Sequence, residues 1–198
     1  MSLLFETICV QHGVLQHPAW HEQRMTLARK ELWNIHTPVE LGKLLCVPQE
    51  FSSGFVKCNI HYGPDIEQVR FSKYDKRLVR SLKLVDCSGI DYHLKYTDRS
   101  ALDSLFALRE NCDEIIIVIN GFLTDSSMSN LIFSDGLQWI TPVNPLLKGT
   151  RRNRMVAGGG IIEKEIPVAD LYRYAGCKLI NAMRDPDEEI LIPSSEII

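Results

Sequence analysis

The sequence has 198 residues, of which 45% are hydrophobic and 24% are charged, and its formal net charge is −3. These values suit one or two globular domains with an apolar core, and the slight acidity argues against a general nucleic-acid-binding protein. The sequence contains neither a transmembrane stretch nor a recognisable signal peptide, and its six dispersed cysteines favour neither a zinc site nor disulfides, so we expect a cytoplasmic protein without metal or membrane partners.

The first half of the chain predicts a sheet with one long helix. The predicted elements are a hairpin over residues 3–16, a helix over 18–33, a short helix over 38–45, and strands over 55–62 and 66–74. His12-Gly13 supplies the hairpin turn, and Pro18 suits the first turn of the long helix. Arg24 falls in the middle of that helix's apolar arc, where a guanidinium needs either an anion or a route to solvent along its stem.

Polar and glycine residues indicate a domain boundary near residue 84. This boundary divides the chain into domains 1–84 and 85–198. The predicted elements of the second domain are a helix capped by Asp98 and reaching about Glu110, strands over 115–119, 122–124, 130–133 and 137–140, a helix capped by Thr150 and ending at the glycines at 158–160, a strand over 161–166, a helix over 168–174 and a strand over 178–181. No internal repeat or low-complexity segment is present.

The stretch over residues 113–133 combines a buried strand with a cluster of polar residues. A run of β-branched residues over 115–119 indicates a strand buried on both faces, and Asn120-Gly121 is a strong hairpin signal. The return strand ends at Asp125, which is followed by a serine-rich segment over 126–130. This layout holds one carboxylate rigidly beside small hydrogen-bonding side chains, although a capped turn has the same pattern.

Four features of the sequence favour a site for an anionic cofactor. Gly149, followed by a helix start at Thr150, offers backbone N–H groups and the positive end of a helix dipole. Arg24 supplies a positive charge, Asp125 a fixed carboxylate, and Lys95, between Leu94 and Tyr96, an amine whose partial burial would make it a nucleophile. A molecule with one phosphate, one basic ring nitrogen and one aldehyde would bind all four, which describes pyridoxal 5'-phosphate.

The order of these residues resembles the fold-type IV pyridoxal-phosphate enzymes, namely the class IV aminotransferases (branched-chain and D-amino-acid transaminases) and aminodeoxychorismate lyase. Residues 4–8 are similar to the family's opening FETI strand, and residues 21–24 to its H-x-x-R helix. Lys95 occupies the place of the lysine that forms the Schiff base with the cofactor. The later segments that match are 121–125, 129–131, 141–142, 147–152 and 181–183.

This resemblance implies an α/β (α+β), D-amino-acid aminotransferase-like fold of two domains, shortened at the N-terminus, with the cofactor between the domains and a homodimer as the assembly. Lys95 would bind the cofactor covalently and move the substrate's α-proton, while Asp125 would keep the ring nitrogen protonated. The remaining cofactor-binding residues implied by the resemblance are Arg24, Gly149, Thr150 and Arg151 around the phosphate, Leu147 under the ring, and Asn181 and Ala182 closing the pocket.

Two substitutions distinguish this chain from most members of the family. Asp125 stands where most have a glutamate, which is one methylene longer, and Arg151 stands where many have a threonine. The resemblance favours an aminodeoxychorismate lyase-like enzyme, which would release pyruvate and 4-aminobenzoate for folate biosynthesis. A transaminase for a D- or branched-chain-like amino acid is the alternative, and either enzyme would take a small-molecule substrate with an amino group. A non-catalytic homologue that serves as a binding protein remains a third hypothesis.

Overall fold

The computed structural model describes residues 3–87 and 89–198, which form two compact units. The first unit runs up to Lys76 and also includes Leu94–Asp98, and the second consists of Arg77–His93 and Arg99–Ile198. Among the described residues, none of the helices combines the length and apolar character needed to span a bilayer.

The first unit is a four-stranded antiparallel sheet, in the order β2-β1-β3-β4, with a helix packed against its core. Its elements are β1 (Leu4–Gln11), β2 (Val14–Leu15), α1 (Pro18–Trp33), α2 (Leu41–Leu44), β3 (Phe55–Tyr62) and β4 (Ile66–Lys73). Alternate residues of β1, namely Leu4, Ile8 and Val10, are buried with Met25 and Ala28 of α1. This period-2 burial is what a strand with one face on the core requires.

The second unit contains a three-stranded and a five-stranded sheet, in the orders β5-β6-β7 and β10-β9-β8-β11-β12. Its elements are β5 (Leu82–Asp86), α3 (Ser100–Ala107), β6 (Glu114–Ile119), β7 (Phe122–Leu123), β8 (Asn130–Ser134), β9 (Trp139–Pro142), α4 (Thr150–Ala157), β10 (Ile162–Lys164), β11 (Gly176–Ile180) and β12 (Ile192–Pro193). The strand β6 is buried on both faces between β5, which is parallel to it, and β7, which is antiparallel. Both predicted properties of this stretch, the buried strand and the turn at Asn120-Gly121, are confirmed.

The units differ in two ways from the division predicted between residues 84 and 85. Residues 77–84 belong to the second unit, and Leu94–Asp98, which contains Lys95, belongs to the first. The segment around Lys95 runs along β1. Tyr96 forms a bridge with Leu4, the Phe5 N–H donates to the Lys95 carbonyl (2.9 Å), and the Thr97 N–H donates to the Leu3 carbonyl (2.9 Å). These backbone bonds join the segment to a sheet that ends about twenty residues earlier in the chain, so composition alone does not reveal them.

Five local predictions need correction. The N-cap position of α3 is Arg99 and not the predicted Asp98, and the N-cap position of α4 is Gly149 and not the predicted Thr150, which is the first helical residue. The predicted helix over 38–45 is limited to α2, and residues 168–173 form a 3₁₀ helix. The remaining error is β5, which was interpreted as a domain boundary and instead pairs with the buried β6.

Candidate active site

Asp125 lies two residues after the end of β7, and its backbone is held by the middle of β6. The Ile117 N–H donates to the Asp125 carbonyl (2.8 Å), while Thr124 donates to the Ile117 carbonyl through its N–H (3.0 Å) and its hydroxyl (2.7 Å). The Asp125 side chain is 3% exposed. Its Oδ1 accepts a hydrogen bond from Asn130 Nδ2 (2.8 Å) and its Oδ2 accepts one from the Leu147 N–H (3.0 Å). The carboxylate is therefore rigidly placed, as the sequence predicted.

The electrostatic environment of this carboxylate is unusual. Burial raises the pKa of Asp125 from 3.8 to about 6, although the hydrogen bonds from Leu147 and Asn130 and the charge of Arg152 oppose the rise. Among the described residues, the donors that bond to its oxygens are neutral, because Arg152 Nη2 donates instead to the Pro142 carbonyl (2.7 Å) and to Glu163 Oε1 (2.6 Å). A cationic N–H bonded to Asp125 would favour the charged carboxylate.

We expect this burial to give the cofactor-free protein a distinctive pH dependence. Since the folded protein holds the pKa of Asp125 at about 6 and the unfolded chain at 3.8, the folded form binds this proton more tightly, and stability falls as the pH rises between these values. Asp125→Asn removes the titration, so the free energy of unfolding of this variant should rise relative to the wild type by about 2 kcal/mol between about pH 4 and about pH 7.

Urea unfolding across this pH range measures the difference between the two chains. Asp75→Asn, at an exposed position, is the matched control and should leave the pH dependence unchanged. A difference between Asp125→Asn and wild type that stays constant with pH would contradict the assignment of a raised pKa.

The serine-rich segment after Asp125 forms the capped turn that the sequence left open as an alternative. Ser126 Oγ accepts hydrogen bonds from the N–H groups of Met128 (3.3 Å) and Ser129 (3.0 Å), and the Ser126 N–H donates to the Ser129 carbonyl (2.8 Å). Asn181 Nδ2 donates to Ser129 Oγ (2.8 Å). The two interpretations are compatible, because the turn closes on its own serines while the Asp125 carboxylate bonds to Asn130 and Leu147.

The start of α4 provides a site suited to an anion. Gly149 lies at the N-cap and has no side chain to cap the helix, and the first turn carries Arg151 and Arg152 but no acidic residue. Cations at a helix N-terminus oppose the macrodipole, whereas an anion there is stabilised by the dipole and by backbone N–H groups. The hydrogen bond from the Asn153 N–H to the Gly149 carbonyl (2.9 Å) fixes this first turn.

Arg151, assigned to the phosphate by resemblance, and Asn181, assigned to closing the pocket, bond to each other. Arg151 Nε donates to the Asn181 carbonyl (2.8 Å) and its Nη1 to Asp185 Oδ2 (2.8 Å). Asn181 Oδ1 accepts the Met183 N–H (2.8 Å), which closes the turn that contains the half-buried Ala182. The guanidinium of Arg151 thus holds this turn in place next to α4. The sequence did not predict this contact.

In the first unit, Arg24 binds the buried carboxylate of Glu6. Arg24 Nε donates to Glu6 Oε1 (2.8 Å) and Arg24 Nη2 to Glu6 Oε2 (2.5 Å), and His21 Nδ1 lies 2.6 Å from the same Oε2. Glu6 is fully buried, and burial alone would raise its pKa, but Arg24 and His21 outweigh burial and lower it to about 2. Of the two alternatives that the sequence left open for Arg24 on the apolar arc of α1, an anion or a route to solvent, β1 supplies the anion in Glu6.

Lys95 is half-buried, and its Nζ lies over the ring of Phe5, 4.5 Å from the ring centroid. An ammonium at this distance from an aromatic face is attracted by the ring quadrupole. The Phe5 N–H also donates to the Lys95 carbonyl. Both the backbone and the side chain of Lys95 are consequently held against the start of β1.

Three of the groups described above match the chemistry of pyridoxal phosphate: the Asp125 carboxylate, the start of α4 and the Lys95 amine. The buried Asp125, bonded by neutral donors, suits a protonated ring nitrogen, and the basic, acid-free start of α4 suits a phosphate. The half-buried amine of Lys95 suits an aldehyde. The first unit carries the amine and the second carries the other two groups.

Comparisons with known proteins agree with this chemistry. The model of the amino-transferase class IV family matches residues 92–185. An uncharacterized protein of Haemophilus influenzae is 37% identical over 185 residues, which are 92% of this chain and 98% of that protein. The crystal structure of a putative 4-amino-4-deoxychorismate lyase from Haemophilus somnus 129PT has a TM-score of 0.83 and 35% identity, and covers 92% of this chain and 97% of that one.

A more distant likeness extends over much the same length. A hypothetical aminotransferase from Mycobacterium tuberculosis, in its PLP-bound form, has a TM-score of 0.75 at 18% identity, with 91% of this chain and 77% of that chain covered. These similarities identify the fold as that of the fold-type IV enzymes, and the chain belongs to the class IV aminotransferase family. The predicted fold is confirmed, and so is the predicted cofactor of the family, pyridoxal phosphate.

The sequence predicted no role for several residues that shape these groups, although four of them lie in segments that match the family. They are Glu6, His21, Asn130, Arg152 and Asp185. A signal existed for Glu6, because a carboxylate at an inward position of an alternating strand demands a partner. Arg152 and Asp185 gave no such signal, since their partners are reached only through tertiary packing.

Proposed function

We propose that this chain is a pyridoxal-phosphate enzyme of the aminodeoxychorismate lyase-like kind, acting on a small substrate with an amino group. The observation that supports the cofactor most directly is the buried Asp125 carboxylate, whose oxygens accept hydrogen bonds from Asn130 and Leu147. A buried acid bonded by neutral donors is best stabilised in its charged form by a cationic partner. A protonated ring nitrogen provides such a partner.

Each proposed site residue has a distinct role. Lys95 Nζ would hold the cofactor and then take the proton from the substrate α-carbon and return it. Asp125 would keep the proton on the ring nitrogen, and Leu147 would pack under the ring. The phosphate would be bound by Arg24, Gly149, Thr150 and Arg151, with Asn181 and Ala182 closing the pocket. When bound, the cofactor supplies a ring that accepts the electron pair left on the substrate α-carbon.

The lyase-like assignment is supported by the 35% identical relative from Haemophilus somnus, which is described as a putative 4-amino-4-deoxychorismate lyase and has nearly the same length. On this proposal the products are pyruvate and 4-aminobenzoate, a step of folate biosynthesis, and the working assembly is a homodimer. The family match, which is described by its aminotransferase activity, favours a transaminase as the second candidate.

The first test is the visible absorption spectrum of the purified chain before and after pyridoxal phosphate is added. We expect a visible absorption band that borohydride removes and that peptide mapping then assigns to Lys95, because a reduced Schiff base is a stable covalent mark. Pyridoxamine phosphate, which has no aldehyde, is the matched control and should leave no mark. A chain that cannot be loaded is a non-catalytic homologue.

The two enzyme activities are then separated by single-substrate experiments. A lyase should release pyruvate from aminodeoxychorismate with no second substrate. A transaminase should instead accumulate the amino form of the cofactor when it is given an amino acid alone. Accumulation without pyruvate release would replace the lyase proposal with the transaminase.

A further inference from the structure

Asn130, at the start of β8, links three parts of the second unit through one side chain. Its Nδ2 donates to Asp125 Oδ1 (2.8 Å) and to the Leu147 carbonyl (2.8 Å). Because both partners are acceptors, they fix which end of the amide faces them. Leu147 in turn donates its N–H to Asp125 Oδ2 and lies three residues before α4.

Gly149, at the N-cap of α4, packs against the other end of the Asn130 amide. A Cβ at position 149 would lie 2.0 Å from Asn130 Oδ1 and 3.2 Å from its Cγ, so no larger residue fits while the amide keeps its position. The backbone of Gly149, with φ −62° and ψ 145°, is one that alanine adopts without strain. The glycine is therefore required by the contact with Asn130 and not by backbone conformation.

We propose that Asn130 is a positioning residue that couples the carboxylate of Asp125 to the start of α4. This inference rests on the proposed function, in which these two groups bind opposite ends of the cofactor. One amide sets the direction of the carboxylate and, through Leu147 and Gly149, the position of the helix N-terminus. Removing the Asn130 amide should therefore displace both the Asp125 carboxylate and the start of α4.

The coupling has an electrostatic consequence in the cofactor-free protein. Asn130 and the N–H groups of Leu146 and Leu147 stabilise the charged form of Asp125, as does the charge of Arg152 on α4. Loss of one hydrogen bond to a carboxylate should move the midpoint of its titration upward by roughly one pH unit. The same loss should weaken binding of pyridoxal phosphate by roughly tenfold.

The experiment is a double-mutant cycle on the full chain with Asn130→Ala, Gly149→Ala and both together. The titration of Asp125 is followed by carboxyl-carbon NMR without cofactor, with the resonance assigned from Asp125→Asn. Both single variants should raise the midpoint, and Gly149→Ala should add nothing in the Asn130→Ala background, since the space it needs is then available. Asn59→Ala, in the first unit, and Gly42→Ala, with no atom within 4 Å of its added Cβ, are matched controls.

An unchanged midpoint in Asn130→Ala, or additive effects of the two substitutions, would overturn the proposal. If Asn130→Ala does not fold, Gly149→Ala still tests the contact, because its backbone tolerates alanine. The wild-type spectrum with pyridoxal phosphate tests the proposed function separately. A wild type that binds no cofactor while the variants shift the titration would refute the function and leave the Asn130 coupling established.

Discussion

Replacing Lys95 with alanine is expected to lower turnover by at least about 10³-fold, because the variant loses both the amine that holds the cofactor and the group that moves the α-proton. Its Nζ lies over the ring of Phe5 at the start of β1, and Lys95 is not one of the buried core residues of that unit, so truncation leaves the core in place. Steady-state assays of pyruvate release measure the loss. Circular dichroism and the unfolding midpoint should stay close to those of the wild type.

Lys73→Ala, on the exposed end of β4, is the matched control and should retain full turnover. Small primary amines added to Lys95→Ala should restore part of the rate, since they replace the missing proton carrier. Unchanged turnover in Lys95→Ala would rule out the proposed mechanism, and an inactive wild type would favour the non-catalytic homologue.

Replacing Glu6 with glutamine should have the largest effect on stability, a loss of about 3–5 kcal/mol, because it leaves the Arg24 guanidinium without its buried counter-charge. Glu6 is fully buried and accepts two hydrogen bonds from Arg24 and one from His21. Glutamine has almost the same shape, so the effect reports charge and hydrogen bonding and not volume. Urea unfolding near neutral pH measures the loss.

The pH dependence of this penalty has a definite sign. The folded protein lowers the pKa of Glu6 from 4.5 to about 2, so its contribution is fully present above pH 4.5 and is lost as the pH falls towards 2. The difference between wild type and Glu6→Gln should therefore shrink on acidification. Glu40→Gln, which breaks an exposed ion pair with Lys43, should cost less than about 1 kcal/mol. Similar losses in the two variants would show that the Arg24 pair adds little.

The elements that the sequence predicted well are those with local determinants. The hairpin turn places His12 and Gly13 at positive φ (50° and 73°), and α1 spans Pro18–Trp33 as predicted. The strand β5 was missed because its determinant is remote: it pairs in parallel with β6, and parallel pairing leaves no turn signal in the sequence.

In the candidate site too, local sequence predicts some residues, whereas the contacts of others depend on tertiary packing. Asp125 and Gly149 could be predicted because each lies where a strand or a helix must end or begin, and their roles toward the cofactor remain predictions. The ion pair between Arg24 and Glu6 joins residues from two elements that meet only through packing. Arg151 was assigned by position in a motif, and only the folded chain reveals that its guanidinium bonds to Asn181 and Asp185.

The buried acid at Asp125 also bears on how long the protein survives in a cell. Burial holds the pKa of Asp125 at about 6, so near neutral pH the buried carboxylate lowers the stability of the cofactor-free protein. A cation that binds this carboxylate only in the folded protein restores the lost stability. Chains that lack cofactor would then open more often and be degraded faster by proteases. Cellular abundance of this protein should thus follow the supply of vitamin B6, so that cells starved of the vitamin contain less of the protein as well as less of its active form.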